Sequence, residues 1–324
     1  MIEIVALSGA MREAVRLAER VAVTDANVLV TGESGAGKDQ LAFYIHNCSP
    51  RSRLSFVKID CAALPSELLE AELFGYERGA FTGATQARPG RLEAAHKGTL
   101  LLNEIAHLSI DAQAKLLRVI ERREFERLGG RRTIKVDARL IALTNVDLES
   151  AVQRRAFRGD LFYRLNVVQI NVPPLRERRE DIRKLARSFL KTYAAKHGRL
   201  LKEISPAAFK LLESYEFPGN VRELANIIER AVIVAEGARL EPVDVPEVVH
   251  AAVLAGQRRA RRQTLAELEA DYIRETLEAA GGNKSEAARL LGISRKNLYE
   301  RLARCAKDAV GQTPVAGEKK ETDL

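Results

Sequence analysis

The chain has 324 residues, 46% hydrophobic and 30% charged, and a net charge of +8. That length exceeds one average domain and that apolar fraction suffices for packed cores, which excludes a disordered chain. The positive balance favours a polyanionic partner, either nucleic acid or nucleotide. No apolar run approaches the roughly 18 residues of a membrane helix. Met1-Ile2-Glu3-Ile4-Val5 lacks the basic and apolar segments of a signal peptide. Cys48, Cys61 and Cys305 share no metal-ligand spacing and read as reduced thiols, so a cytoplasmic location without membrane contact is expected.

Residues 1–172 alternate short apolar runs with helical patterns. Val28-Leu29-Val30, Phe56-Val57-Lys58-Ile59, Thr99-Leu100-Leu101-Leu102, Arg139-Leu140-Ile141-Ala142-Leu143 and Val167-Val168-Gln169-Ile170 are five such runs. Strands this short and apolar, separated by helices, predict an α/β domain with a parallel sheet covered on both faces. After the first run comes Gly32-Glu33-Ser34-Gly35-Ala36-Gly37-Lys38-Asp39. Its glycines free backbone N–H groups to face phosphate oxygens, and Lys38 adds a fixed positive charge, the makings of a phosphate loop. Leu116, Leu117 and Ile120 put an amphipathic helix over Asp111 to Glu124.

Residues 173–240 hold helical signals after Pro173-Pro174, with Ser205 as a cap and Pro206 at a first helical position. They predict a small helical lid. Periodicity fails over 241–263, which reads as a linker. Its Arg258-Arg259-Ala260-Arg261-Arg262 cluster either touches DNA phosphates or is a solvated tether. Residues 264–305 form a third unit, all α. One apolar-striped helix runs through Leu265 to Leu277, and two short helices flank Gly292-Ile293-Ser294 in the helix-turn-helix pattern. Residues 306–324 are polar and are expected to be a disordered tail.

Between the phosphate loop and the third strand lies Gly79-Ala80-Phe81-Thr82-Gly83-Ala84. With this hexapeptide in place the chain resembles bacterial enhancer-binding proteins, the AAA+ activators of sigma-54 RNA polymerase, over residues 1–305. The resemblance implies that the hexapeptide tips a mobile loop that grips the sigma factor. Phe81 and Thr82 would stand at the tip, and Gly79 and Gly83 would permit its reversal. A surface turn that happens to carry a Phe is the other reading of these six residues.

The resemblance also implies a Mg²⁺-dependent ATPase that works as a hexameric ring. Gly32 to Asp39 and Arg222, in Gly219-Asn220-Val221-Arg222-Glu223-Leu224, would hold ATP. Glu104 would be the general base and Asn145 the sensor that orients water and γ-phosphate. Arg158 and Arg164, in Phe157-Arg158-Gly159-Asp160-Leu161-Phe162-Tyr163-Arg164-Leu165, would be arginine fingers reaching a neighbouring subunit.

One departure bears on the chemistry. Asn103 stands before Glu104 where the family has the Asp of the Mg²⁺ shell, and a neutral amide is a poorer ligand for a hard cation. Conversely, Asp60 precedes Cys61-Ala62-Ala63-Leu64-Pro65 where the family has an Asn that holds the catalytic Glu idle. Asp60, Asn103 and Asp39 are therefore the expected metal-side residues, with Asp60 taking over part of the shell. The alternative is a degenerate site that binds nucleotide and turns it over slowly, Asp60 and Glu104 perturbing each other as neighbouring carboxylates.

Gly281-Gly282-Asn283-Lys284-Ser285-Glu286-Ala287-Ala288-Arg289-Leu290-Leu291-Gly292-Ile293-Ser294 resembles the Fis-type helix-turn-helix. Lys284, Ser285, Arg295, Lys296, Asn297, Tyr299 and Arg301 are the expected DNA-contacting residues, with Leu298 and Leu302 facing the core. Dimeric binding to double-stranded enhancer DNA follows from the resemblance.

Three functions compete. One is an ATP-driven activator that remodels the sigma-54 closed complex. Another is a DNA-binding regulator with an impaired motor, working with a partner subunit or as a negative regulator. The third is a general AAA+ loader or unfoldase, against which the hexapeptide and the Fis-type reader both argue. The chain starts about thirty residues before the phosphate loop, so control by a separate regulatory protein, constant competence, or a truncated sequence are all open.

Overall fold

The computed structural model describes residues 4–260 and 265–310, in two compact units divided after His250. In the first unit, helix α1 (Gly9–Ala22) starts at Ser8, whose hydroxyl accepts from Met11 N, and it buries Met11, Ala14, Ala18 and Val21. Five parallel strands follow: β1 (Val28–Thr31), β2 (Phe56–Asp60), β3 (Thr99–Asn103), β4 (Arg139–Thr144) and β5 (Val168–Asn171). Their spatial order is β2-β3-β4-β1-β5. All five coincide with the predicted apolar runs to within a residue or two. A parallel sheet needs both faces covered, and here each face has its own apolar cluster. One holds α1 and α2 (Lys38–Asn47). The other holds α3 (Ser66–Phe74), α4 (Ile110–Arg122) and α5 (Gly159–Leu165).

Central strand β4 is buried along its whole length, including Arg139 at its start. Arg139 donates to Ala22 O (2.7 Å) and Val21 O (2.8 Å), so the buried cation sits on the carbonyl end of α1. Between strands, the structure adds pairs too short to leave a periodicity signal. Gly75–Tyr76 pairs with Arg88–Pro89, and Glu124–Glu126 with Thr133–Lys135.

Helices α6 (Arg179–Lys196), α7 (Pro206–Ser214) and α8 (Asn220–Val234) make the lid, with α6 packed on α8. Ser205 caps α7 by accepting from Ala208 N, with Pro206 in the first turn. The expected linker over 241–263 is corrected in most of its length. Pro242–Asp244 is a 3₁₀ turn and α9 (Glu247–Ala260) is a helix. Pro246 precedes that helix, Val249 and Val253 one turn apart are buried, and His250 Nε2 lies 2.9 Å from Pro242 O. One buried face of two valines gave too little periodicity to read. Residues 261–263 lie outside the described residues.

In the second unit, α10 (Leu265–Ala279), α11 (Lys284–Leu290) and α12 (Arg295–Val310) enclose Ile273, Ala287, Ala288 and Leu298. Asn283 caps α11 through Ser285 N and Glu286 N, and Gly292 takes a left-handed φ of +66° at the turn. Leu298 is fully buried and Leu302 partly so, as expected. The expected disordered tail is corrected over its first residues, because α12 runs through Val310. The remainder, 311–324, lies outside the described residues.

Candidate functional site

The phosphate loop joins β1 to α2 and places Lys38 as the first residue of that helix. Lys38 Nζ donates to Gly32 O (2.8 Å) and Glu33 O (3.1 Å) and lies 3.9 Å from Glu104 Oε1. Burial pushes its pKa down, opposed by the Glu104 carboxylate. Glu104 follows β3 in a left-handed conformation (φ 52°, ψ 52°) that costs a non-glycine residue on the order of 1 kcal/mol or more. Its Oε2 accepts from Asn145 N at 3.3 Å, in the loop after β4. Three neighbouring strand ends thus bring Lys38, Glu104 and Asn145 together at the carboxyl edge of the sheet, where parallel sheets bind ligands.

The lid closes over this edge. Arg222 Nη1 donates to Ser34 Oγ (3.1 Å) and Val221 N to Gly35 O (3.0 Å). Gly35 has φ +74°, and a Cβ there would collide with Gly219 O and press on Arg222. Ser34, Gly35, Lys38, Asn103, Glu104 and Arg222 line a cleft of about 230 Å³.

Other expected residues are placed differently. The Glu33 side chain turns to the lid, where Arg176 donates to it twice (2.9 and 2.6 Å) and Asn220 Nδ2 once (3.0 Å). These partners hold its carboxyl down at about 2. Asp39 does line the cleft, where it is engaged by Lys58 Nζ at 2.5 Å. Asp60 is paired with Asn103: Asn103 Nδ2 donates to Asp60 Oδ2 at 2.9 Å, and Ala62 N donates to Oδ1 at 3.0 Å. Arg158, partly exposed, and Arg164, exposed, lie away from the cleft of their own chain and are paired with Asp160 and Glu121. Sequence reasoning missed Arg176 and Asn220. Asn220 is fully buried with φ +54°, and a Gly-Asn pair opening a helix was the one available signal.

In the hexapeptide, Gly79 (φ +83°) and Gly83 (φ +103°) close a turn through Gly79 N to Ala84 O (2.9 Å) and Ala84 N to Phe81 O (3.0 Å). Phe81 is 42% exposed and meets Tyr76 edge-on at 5.0 Å. Gly129 lies so close to Ala80 that a side chain there would strike it.

In the helix-turn-helix, Arg295, Lys296 and Tyr299 are exposed, and Lys284 Nζ sits 4.9 Å over the Tyr299 ring. Ser285 N is used by the Asn283 cap. Arg301 is paired with Glu269, and its Nε donates to Asn297 Oδ1 at 2.8 Å. Arg301 thus links α12 to Glu269 of α10 and keeps a partly exposed side chain.

No helix among the described residues is long and apolar enough to cross a membrane. Residues 4–171 match the Sigma-54 interaction domain, residues 176–262 the AAA+ ATPase lid domain, and residues 264–304 the Bacterial regulatory protein, Fis family. The chain is 46% identical over 303 residues to Regulatory protein AtoC of Escherichia coli, covering 91% of this chain and 66% of that protein. It is 43% identical over 324 residues to Transcriptional regulatory protein FlbD of Caulobacter vibrioides, covering 95% and 71% respectively. NtrX of Brucella abortus, solved in complex with ATP, is 34% identical and superposes with a TM-score of 0.72, covering 94% of this chain and 70% of that one. The chain thus spans about two thirds of the length of these curated relatives. From the parallel sheet and its phosphate loop to the closing helix-turn-helix, the chain belongs to the sigma-54 interaction domain family of AAA+ proteins, with an AAA+ lid and a Fis-family DNA-binding unit.

Proposed function

We propose that this chain activates transcription by sigma-54 RNA polymerase, binding enhancer DNA through residues 264–305 and using ATP hydrolysis in a ring to drive the Gly79–Ala84 loop against the sigma factor. The observation that carries the reading is the pairing of a nucleotide-type cleft with an exposed Phe81 on a Gly-flanked turn of the same domain. An exposed aromatic at a loop tip suits a protein-binding surface.

The cleft fits a nucleotide. A buried ammonium wedged between main-chain carbonyls and a carboxylate calls for anionic phosphate, and the glycines leave backbone room for it. ATP with Mg²⁺ supplies the phosphoryl group and part of the charge neutralisation. Lys38 binds the phosphates. Glu104, aimed by Asn145 N, takes a proton from the attacking water. Arg222, already at the phosphate loop, adds positive charge from the lid. Arg158 and Arg164 are surface cations free to approach a neighbouring subunit's cleft, which makes hydrolysis depend on assembly.

The test is open-complex formation on a sigma-54 promoter with purified polymerase. Phe81→Ala should keep ATP turnover and lose open complexes. If Phe81→Ala still opened the promoter, the loop assignment would fail. A regulator with an impaired motor is the second reading, favoured by the amide of Asn103 in the cleft wall. Absence of turnover in assembled native protein would select it.

A further inference from the structure

Asp60 and Asn103 stand opposite each other in register at the carboxyl ends of β2 and β3. Resting on the ATPase reading above, we propose that Asp60 is a positioning residue that holds the Asn103 amide with its carbonyl oxygen available to the Mg²⁺ that accompanies a nucleotide.

Three observations support this. First, an ionised carboxylate only accepts hydrogen bonds, so it selects the NH₂ end of the amide. Asn103 Nδ2 donates to Asp60 Oδ2 at 2.9 Å, which leaves Oδ1 at the other end of the same planar group. Second, Asn103 lines the cleft with Lys38 and Glu104, whereas Asp60 does not. Asp60 therefore acts from behind the amide. Third, the pair is fixed. Cys61 N donates to Asn103 O at 2.9 Å, and Ala62 N occupies the second oxygen of Asp60 at 3.0 Å.

An amide oxygen alone is a weak partner for a hard cation, which prefers carboxylate, phosphate and water oxygens. A negative charge one hydrogen bond behind it polarises the amide and raises the basicity of its oxygen, as outer carboxylates do for metal-bound histidines. The formal charge at the site is then supplied by β2 and delivered through β3. Of the two acids that line the cleft, Glu104 faces Lys38 and Asp39 is paired with Lys58 at 2.5 Å.

The experiment measures Mn²⁺ binding by electron paramagnetic resonance on the full chain with a non-hydrolysable ATP analogue. The analogue's affinity is measured in Mg²⁺ and in EDTA. Asp60→Asn should weaken Mn²⁺ by about tenfold or more, the usual cost of losing an outer-shell partner. It should also shrink the gain in analogue affinity that Mg²⁺ gives. The double variant Asp60→Asn, Asn103→Asp should recover both, because the carboxylate then stands in the cleft wall itself. Thermal midpoints of the variants report any loss of folding. The inference is overturned if Asp60→Asn binds Mn²⁺ as tightly as the native chain, or if the double variant does no better than the single one. Analogue binding that ignores metal in the native chain overturns this inference alone. No analogue binding under either condition overturns the ATPase reading as well.

Discussion

Glu33 in the phosphate loop and Asn220 at the head of α8 share a 3.0 Å hydrogen bond across 187 positions of sequence. Asn220 also donates to Ser34 O (3.0 Å) and accepts from Leu175 N (2.8 Å), so one buried amide ties loop, lid and connecting segment together. Asn220→Ala leaves those partners unmatched and places a Cβ-bearing residue without local side-chain support at φ +54°. We expect a loss of about 1–3 kcal/mol in stability of the first unit. Urea unfolding followed by circular dichroism measures it, and a change within experimental scatter would remove Asn220 from this role.

The Glu33–Arg176 pair gives a pH signature. The folded carboxyl sits at about 2 against an unfolded value of 4.5. A depressed carboxyl adds stability above its unfolded pKa and loses it as pH falls through the folded one. The contribution should therefore be whole above pH 4.5 and fade down to about 2. Arg176→Ala should be less stable than the native chain at pH 6, with the gap narrowing as the pH drops. A gap of constant size between pH 6 and pH 2 would contradict it.

Arg164 is exposed and Arg158 partly so, and their side chains pair only with surface carboxylates, contacts that add little to stability. Alanine at either position should leave the thermal midpoint nearly unmoved. If one is a finger supplied in trans, its loss should cost ~10³-fold or more in turnover. Specific activity of the native chain should also rise with protein concentration. Full turnover in both variants would exclude the trans role.

For DNA, Lys296 and Arg301 should behave oppositely. Lys296 is exposed at the head of α12, so Lys296→Ala should weaken binding to an enhancer duplex and flatten its salt dependence. Arg301→Ala should instead lower the melting temperature of the second unit by releasing Glu269 and Asn297. Fluorescence anisotropy at two salt concentrations, together with a melt, separates the two.

Much of this was legible in the chain itself. The five sheet strands are short apolar runs, and β4, buried on both faces, reads as one continuous hydrophobic stretch after Arg139. Lys38 was expected from the phosphate-loop pattern and Glu104, Asn145 and Arg222 from the family resemblance, and all four lie at the same edge of the sheet. Helix α9 was not expected, because Val249 and Val253 give two buried positions rather than a stripe. The Arg176–Glu33–Asn220 clamp was hidden for another reason. Its members come from three segments far apart in sequence, and nothing local to Arg176 distinguishes it from the arginines around it. The direction of the Asn103 amide was likewise beyond reach until the register of β2 on β3 was known.

Gly35 has no slack. Its α-carbon faces the Gly219 carbonyl across a gap that a methyl group cannot enter, while Val221 N bonds its own oxygen. A side chain at this position would therefore push against the head of α8, to which the phosphate loop is already hydrogen-bonded. Of the three glycines in the loop, this is the one whose substitution would press on the lid as well as on the loop.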